Sequence, residues 1–323
     1  MVRVGIDEAI SPELLKDFPP EAEIVRIPPD LNKEIPLDFW ILPYFRKDAA
    51  AAFSHFQGVK VIQALMAGVD WVIPWVPHGV TLCDGRGIHD ISTSEWVLAA
   101  ILSAQKHFPH YRDLQNRRQW RSEPSATDSF IGGGKSHPGL YRILSDDLSE
   151  KTVLIVGYGS IGAAIEARLQ PFGARVIRVA RTAKTSPQVF PVSELQRLLP
   201  DADIVVAITP LTAETTGLFS TKEFDLMKPG ALLINAARGP VVKTDALLHA
   251  LQAHKIQAVL DVTDPEPLPA DHPLWSAPNC FITPHIAGST PEFIHRAFRF
   301  GAAQVRRYLN GQPLENIVTS AGY

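Results

Sequence analysis

Residues 152–170, TVLIVGYGSIGAAIEARLQ, decide the fold. The first five are apolar and β-branched, as in a strand buried on both faces. A glycine-punctuated turn follows, Gly157-Tyr158-Gly159-Ser160-Ile161-Gly162, and the last stretch carries apolar residues at helical spacing. Strand, glycine turn and helix in that order form the phosphate-binding unit of a dinucleotide domain. Gly157 permits the tight turn, Gly159 lets backbone approach a pyrophosphate, and Gly162 allows the helix to lie close on the strand. The helix start offers free N–H groups and a positive dipole end, so Ser160 and Ile161 belong to the same cofactor-binding set. An ordinary strand–turn–helix with convenient glycines is the competing reading, and the flanking pattern argues against it.

Outward from this stretch the chain keeps one rhythm. Downstream come ARVIRVA (174–180), DIVVAI (203–208), ALLINAA (231–237), QAVLDV (257–262) and CFITPH (280–285), separated by helix-like segments such as DALLHALQAH. Upstream lie VRVGI (2–6), EIVRI (23–27), FWIL (39–42), VKVI (59–62) and GVTLC (79–83), with PELLKDF and an Ala-rich segment from Asp48 to Phe53 between some of them. Strands alternating with helices predict an α/β protein with mostly parallel sheets. Ser94 reads as the N-cap of a long helix through WVLAAIL to about His107, and residues 291–310 read as an amphipathic helix. The polar, Gly- and Pro-containing stretch 121–149 reads as an irregular excursion.

At 323 residues two domains are expected. The expected division is residues 1–93 with 291–323 as one discontinuous domain, and 94–290 as the other. A formal net charge of −3 gives no general field for nucleic acid or an anionic membrane. Two distant cysteines, Cys83 and Cys280, form no disulfide framework. Together with an amino terminus lacking a secretory pattern and the absence of a long apolar span, they predict a cytoplasmic protein without metal ligation.

Cofactor choice turns on the end of the second strand of the unit. An acid there would bind a ribose 2′-hydroxyl, but Ala180 occupies the place and Arg181 and Thr182 follow. A base in that position suits a 2′-phosphate, so NADP is expected over NAD, which stays possible.

Three further segments follow strands: NAARG (235–239), DVTDPEP (261–267) and TPHIAG (283–288). Ligands in such sheets sit beyond the carboxyl ends of strands, so Arg238, Glu266 and His285 are expected to converge. Reducing a 2-oxo acid needs a forked cation for its oxygens, a proton donor titrating near neutrality, and a carboxylate to hold that donor. Singly, each has an ordinary structural explanation; the set is harder to dismiss.

GYGSIG, NAARG, DVTDPEP and TPHIAG, in that order, resemble the D-isomer-specific 2-hydroxyacid dehydrogenase family, including its glyoxylate/hydroxypyruvate reductases. The resemblance spans nearly the whole chain and implies two doubly wound domains, one Rossmann and one flavodoxin-like for substrate, with a cleft that closes between them. It implies that Arg238 binds substrate, that Glu266 supports His285, and that His285 exchanges the proton. It places Asp261 near the nicotinamide carboxamide and Thr209, Pro210 and Ala236, with Gly288, along the cofactor groove. It makes Ala67 and Gly68, in QALMAGVD (63–70), the donors that cradle the substrate carboxylate. Leu65, Met66 and Trp71 could bound its pocket, and Tyr44, Phe45 and Arg46 could face it, although a surface arginine is the more ordinary reading of Arg46.

The similar formate dehydrogenases carry Gln in place of Glu266, which argues against formate. The family implies the D-configuration and a homodimer, the dimer having only the apolar 94–107 helix for support in the residues. Two alternatives stand beside a reductase of small 2-oxo acids. One is an NAD-preferring member acting on another acid such as phosphoglycerate. The other is a nucleotide-sensing binding protein like the corepressors that resemble this family.

Overall fold

The structure, a computed structural model, describes residues 1–44, 46, 48–120 and 145–319. The chain divides into two compact units, Met1–Asp90 with Ser289–Tyr323, and Ile91–Gly288.

In the first unit, β1 (Val2–Asp7), β2 (Ala22–Ile27), β3 (Phe39–Leu42), β4 (Val61–Ala64) and β5 (Thr81–Cys83) form a parallel sheet in the order β2-β1-β3-β4-β5. That is the flavodoxin-like winding. Alternate residues serve opposite faces. Val4, Ile6, Phe39, Ile41 and Val61 join one core, while Trp40, Leu42, Ile62 and Ala64 join the other. The long helix Pro291–Leu309 covers the first of these, laying Phe293, Ala297, Phe298, Ala302 and Val305 on it. The chain therefore leaves this unit and returns to finish it.

A buried amide relay fastens that return. Gln63 Nε2 donates to the carbonyls of Ala64 and Asp84, and Gln304 Nε2 donates to Gln63 Oε1 and the Glu315 carbonyl. The Gln304 side-chain oxygen accepts from the Glu315 amide in turn. Both glutamines are fully buried, so each polar atom needs such a partner.

In the second unit, β6 (Thr152–Val156) and β7 (Arg175–Ala180) precede a small hairpin of β8 (Lys184–Thr185) and β9 (Gln188–Pro191). Then come β10 (Ile204–Ala207), β11 (Ala231–Asn235), β12 (Ile256–Leu260) and β13 (Cys280–Ile282). The order is β8-β9-β7-β6-β10-β11-β12-β13, parallel except within the hairpin. The winding reverses between β6 and β10, the switch point where such sheets bind dinucleotides. Both faces are covered: Leu154 and Val156 enter one core, Val153 and Ile155 the other.

The long helix of this region begins earlier than the sequence suggests, running Asp90–Gln105. Ser94 is not its N-cap; it is buried inside, and its hydroxyl donates to the Ile91 carbonyl at 3.0 Å. The helix buries Val97, Ala100, Ile101 and Ala104 on the second unit's own sheet. PELLKDF forms only a 3₁₀ turn, Pro12–Leu15. No described helix is long and apolar enough to cross a membrane.

Phe298 is 2% exposed in the returning helix. Phe298→Ala should destabilise the first unit by about 3–5 kcal/mol. Urea unfolding followed by intrinsic fluorescence would show a lowered midpoint; an unchanged midpoint would mean the helix is not part of that core.

Candidate active site

Gly157 has φ of 109°, a left-handed backbone that a side chain would strain. A Cβ there would lie 2.5 Å from the Ile208 carbonyl oxygen, so this glycine brings the β6 turn against the chain leaving β10. A Cβ on Gly162 would lie 2.5 Å from the Gly157 oxygen, which explains the close approach of helix and turn. On Gly159 it would meet no described atom within 4 Å. The three glycines thus split into two that the protein packs against and one facing open space.

The helix after this turn, Ser160–Leu169, has no side-chain cap. Its first amides have no intrahelical acceptor. Beside it, Thr209 Oγ1 is buried without a hydrogen-bond partner among the described residues. Free amides, an open glycine and an orphaned hydroxyl at the switch point fit a dinucleotide phosphate group. Pro210 adjoins Thr209, and Ala236 is held by its amide to the Ala207 carbonyl at 3.1 Å. β7 ends at Ala180, and Arg181 and Thr182 follow as exposed residues.

The loop after β11 is folded by its own first residue. Asn235, 1% exposed, accepts from the Ala237 amide and donates to the Arg238 carbonyl, at 3.1 Å each. This sets the backbone from which Arg238 projects. Gly239 comes next, and a Cβ there would lie 1.9 Å from the Thr263 carbonyl oxygen. The loops after β11 and β12 therefore touch backbone to backbone, and only glycine fits.

The loop after β12 carries Glu266, and the loop after β13 carries His285. The ring Nδ1 lies 2.6 Å from Glu266 Oε1. With the carboxylate ionised, Nδ1–H donates to it and Nε2 is the free nitrogen. The hydrogen bond from His285 is the main reason that the Glu266 pKa is lowered. Partial burial opposes this, while the charges of His285 and Arg238 and the Thr263 amide add to it. The depressed value keeps Glu266 charged throughout the neutral range. Its contribution to stability is present above the ordinary carboxylate pKa and fades only as pH falls through the lowered one.

Asp261 fixes the histidine's loop. The residue is 2% exposed, and its carboxylate accepts from Thr283 Oγ1 at 2.6 Å and from the amides of Ile286 and Ala287 at 2.8 Å each. The His285 amide donates to the Asp261 carbonyl at 2.7 Å, and His285 takes φ of 53°. Gly288 receives the Ser92 hydroxyl at 3.3 Å. Arg238, Glu266 and His285 are thus brought together within the second unit.

In the first unit, the amides of Ala67 and Gly68 have no acceptor among the described residues. They lie just beyond the carboxyl end of β4. Leu65 does not line a pocket; it is 1% exposed and belongs to the core. Met66 is half-buried, and Trp71 is exposed. Arg46 is neither on the surface nor open to a ligand. It is 8% exposed, ion-paired to Asp7 and Asp48, and donates to the Pro29 carbonyl. The neighbouring acids draw it inward. Tyr44 packs its ring 5.0 Å from Phe293. Phe45 and residues 121–144 of the excursion lie outside the described residues.

Sequence reasoning missed the roles of Asn235, Thr263 and Thr283. Asn235 carried a signal, since an Asn closing a strand commonly bonds its own backbone two residues on.

Residues 98–287 match the model of the D-isomer specific 2-hydroxyacid dehydrogenase NAD binding domain. The chain is 33% identical over 253 residues to a glyoxylate reductase/hydroxypyruvate reductase of Mus musculus, covering 75% of this chain and 70% of that one. Its fold matches an NADPH-dependent glyoxylate/hydroxypyruvate reductase of Sinorhizobium meliloti in complex with NADP and sulfate. There the TM-score is 0.82 at 25% identity, over 100% of this chain and 99% of the other. A probable 2-hydroxyacid dehydrogenase of Rhizobium etli, in complex with NADP, HEPES and tartaric acid, matches with a TM-score of 0.77 at 28% identity, over 100% of both chains. The chain belongs to the D-isomer specific 2-hydroxyacid dehydrogenase family. It is an NAD(P)-dependent oxidoreductase acting on the CH–OH group of 2-hydroxy acids.

Gly239→Ala must push the β12 loop away, and displacements near 1 Å can cost about 100-fold in rate. Turnover should fall by about that factor. Wild-type turnover in the variant would show that this contact does not set the site.

Proposed function

We propose that this enzyme reduces a short 2-oxo acid of the glyoxylate or hydroxypyruvate type to the D-2-hydroxy acid, using NADPH in preference to NADH. The observation carrying the proposal is the His285–Glu266 pair beside Arg238, in the unit that contains the Gly157–Gly162 turn. The reductase activity and NADP of the Sinorhizobium relative, and the activity of the mouse relative, support it.

The reduced nicotinamide, when bound, supplies the hydride. Every other requirement falls to this chain. The amides of Ala67 and Gly68 receive the substrate carboxylate. The Arg238 guanidinium polarises the 2-oxo group and stabilises the negative charge building on its oxygen. His285, with Nδ1 held by Glu266, gives the proton from Nε2 to that oxygen. Glu266 stays charged and stabilises the protonated ring. Gly157, Gly159, Ser160, Ile161 and Gly162 hold the pyrophosphate, while Thr209, Pro210, Ala236 and Gly288 line the groove. Asp261 Oδ1 already accepts two hydrogen bonds and Oδ2 one. One acceptor position thus remains for the carboxamide. Arg181 and Thr182 meet the 2′-phosphate, and no acid stands at Ala180 to repel it. By this reading the first unit is the substrate domain and the second the dinucleotide domain. We place the enzyme in the cytoplasm as a homodimer. Exposed Phe108, Tyr111 and Trp120 offer apolar surface to a second copy.

Cofactor oxidation at the nicotinamide absorbance band, with NADPH and NADH against a panel of 2-oxo acids, tests the reading. Faster oxidation with NADPH on glyoxylate or hydroxypyruvate is expected. NADH winning would overturn the cofactor preference, and silence across the panel with tight NADPH binding would favour a nucleotide sensor. His285→Ala should lower turnover by about 10²–10⁴-fold with cofactor binding near normal; equal loss of both would remove His285 from the chemistry. Glu266→Gln takes away the ionised acceptor that holds Nδ1–H, so kcat should fall by about tenfold with the NADPH Kd near wild type. An unchanged kcat would deny Glu266 that role.

A further inference from the structure

The second residue of the glycine turn is a tyrosine, and it is tied down. The Tyr158 hydroxyl donates to Glu166 Oε2 on the following helix. Glu166 is 6% exposed and is gripped from the sheet by Arg178 of β7. Arg178 Nε donates to Glu166 Oε2 at 2.7 Å and Nη2 donates to Oε1, a two-pronged pair. The same guanidinium lies 5.6 Å from the Tyr158 ring centroid, over its face. Arg178 Nη1 also reaches the Gln188 carbonyl of β9 at 3.4 Å. One arginine thus connects the turn, the helix and the strand that closes the 181–187 loop.

This ion pair occupies a layer that is otherwise apolar. Ile165 and Leu169 of the same helix pack with Val153 and Ile155 there, with Val176 of β7 against them. Drawing two charges out of water roughly cancels their attraction, so an apolar pair of like volume would serve stability as well or better. What the ion pair adds is an ionised acceptor at a fixed point, and the tyrosine hydroxyl uses it.

We propose that Arg178, Glu166 and Tyr158 are positioning residues for the dinucleotide: the ion pair fixes the tyrosine, and the tyrosine fixes the turn whose amides receive the pyrophosphate. Tyr158 lies between Gly157, packed on the β10 exit, and Gly159, which faces open space. Glycines on both sides leave the turn little stiffness of its own. The hydroxyl bond supplies that stiffness before any cofactor arrives, so less order is lost on binding. The pair also agrees electrostatically. The bonds from Arg178 are the main cause lowering the Glu166 pKa, and Glu166 raises that of Arg178. The acceptor therefore keeps its charge across the neutral range. This inference rests on the NAD(P) reading of the turn and goes beyond it, since none of these side chains need touch the cofactor.

The test compares wild type, Tyr158→Phe and the double variant Glu166→Leu/Arg178→Leu, measuring the NADPH Kd by calorimetry, KM and kcat by absorbance, and Tm. Removing a hydrogen bond to a charged group should raise the Kd and KM for NADPH about tenfold in Tyr158→Phe. The loss should fall on Kd and KM, with kcat at saturating NADPH within about twofold. The double variant should keep or raise Tm yet bind NADPH as weakly as Tyr158→Phe, which a merely structural role cannot produce. Wild-type affinity in Tyr158→Phe overturns the proposal, whether or not the double variant folds. If wild type itself binds neither NADPH nor NADH, it is the dinucleotide reading that fails.

Discussion

The carboxylate of Asp261 sits buried at the end of β12 and gathers the start of the next loop around itself, through one hydroxyl and two amides. A buried charge of this kind is tolerable only when its oxygens are bonded, and here the bonds come from the residues flanking His285. The histidine is consequently held in a left-handed backbone conformation that its own preferences disfavour. Its direction is fixed by the loop, so its ring meets Glu266 without any demand on the side chain alone. The ring's position is thus settled by the fold of its own loop.

A second constraint works by exclusion. Gly239 and the Thr263 carbonyl occupy space that a single added carbon would contest. Arg238 immediately precedes that glycine, and Thr263 stands three residues before Glu266. Close packing of two backbones therefore sets the spacing of Arg238 and Glu266, with Asn235 shaping one loop from within. Hydrogen bonds choose the loop conformations and sterics choose their separation.

The alternation of strands and helices was plain in the sequence, because buried parallel strands are apolar along their whole length. TVLIV and ALLIN read directly for that reason. Strand order within each sheet was not plain, since pairing partners come from distant segments. Ser94 misled because a capping residue and a buried hydroxyl bonding back to its own helix look alike in one dimension. Arg46 misled because its acids, Asp7 and Asp48, include one that is near only in space. Arg238, Glu266 and His285 were legible as strand-end residues of suitable chemistry. Their supports were less so: Thr263 acts through its backbone, which no residue name reveals, and Thr283 through a partner 22 residues away. Arg178 did leave a trace, a charge at the centre of RVIRVA where an apolar residue would serve the fold.

The returning helix and the glutamine relay also bear on how the chain is made. The first unit's sheet is encoded before residue 84, yet the face it turns to Phe293, Phe298 and Val305 lacks that cover until those residues have left the ribosome, with only Phe18, Ile88 and the Pro12–Leu15 turn on it before then. The second unit, wholly encoded between them, meets no such delay. Synthesis therefore yields a finished middle before a finished beginning, and the early strands wait with an apolar face exposed. In this interval the nascent chain would lean most on chaperones. Truncation before Gln304 removes the donor to Gln63 Oε1 together with the helix that covers this face.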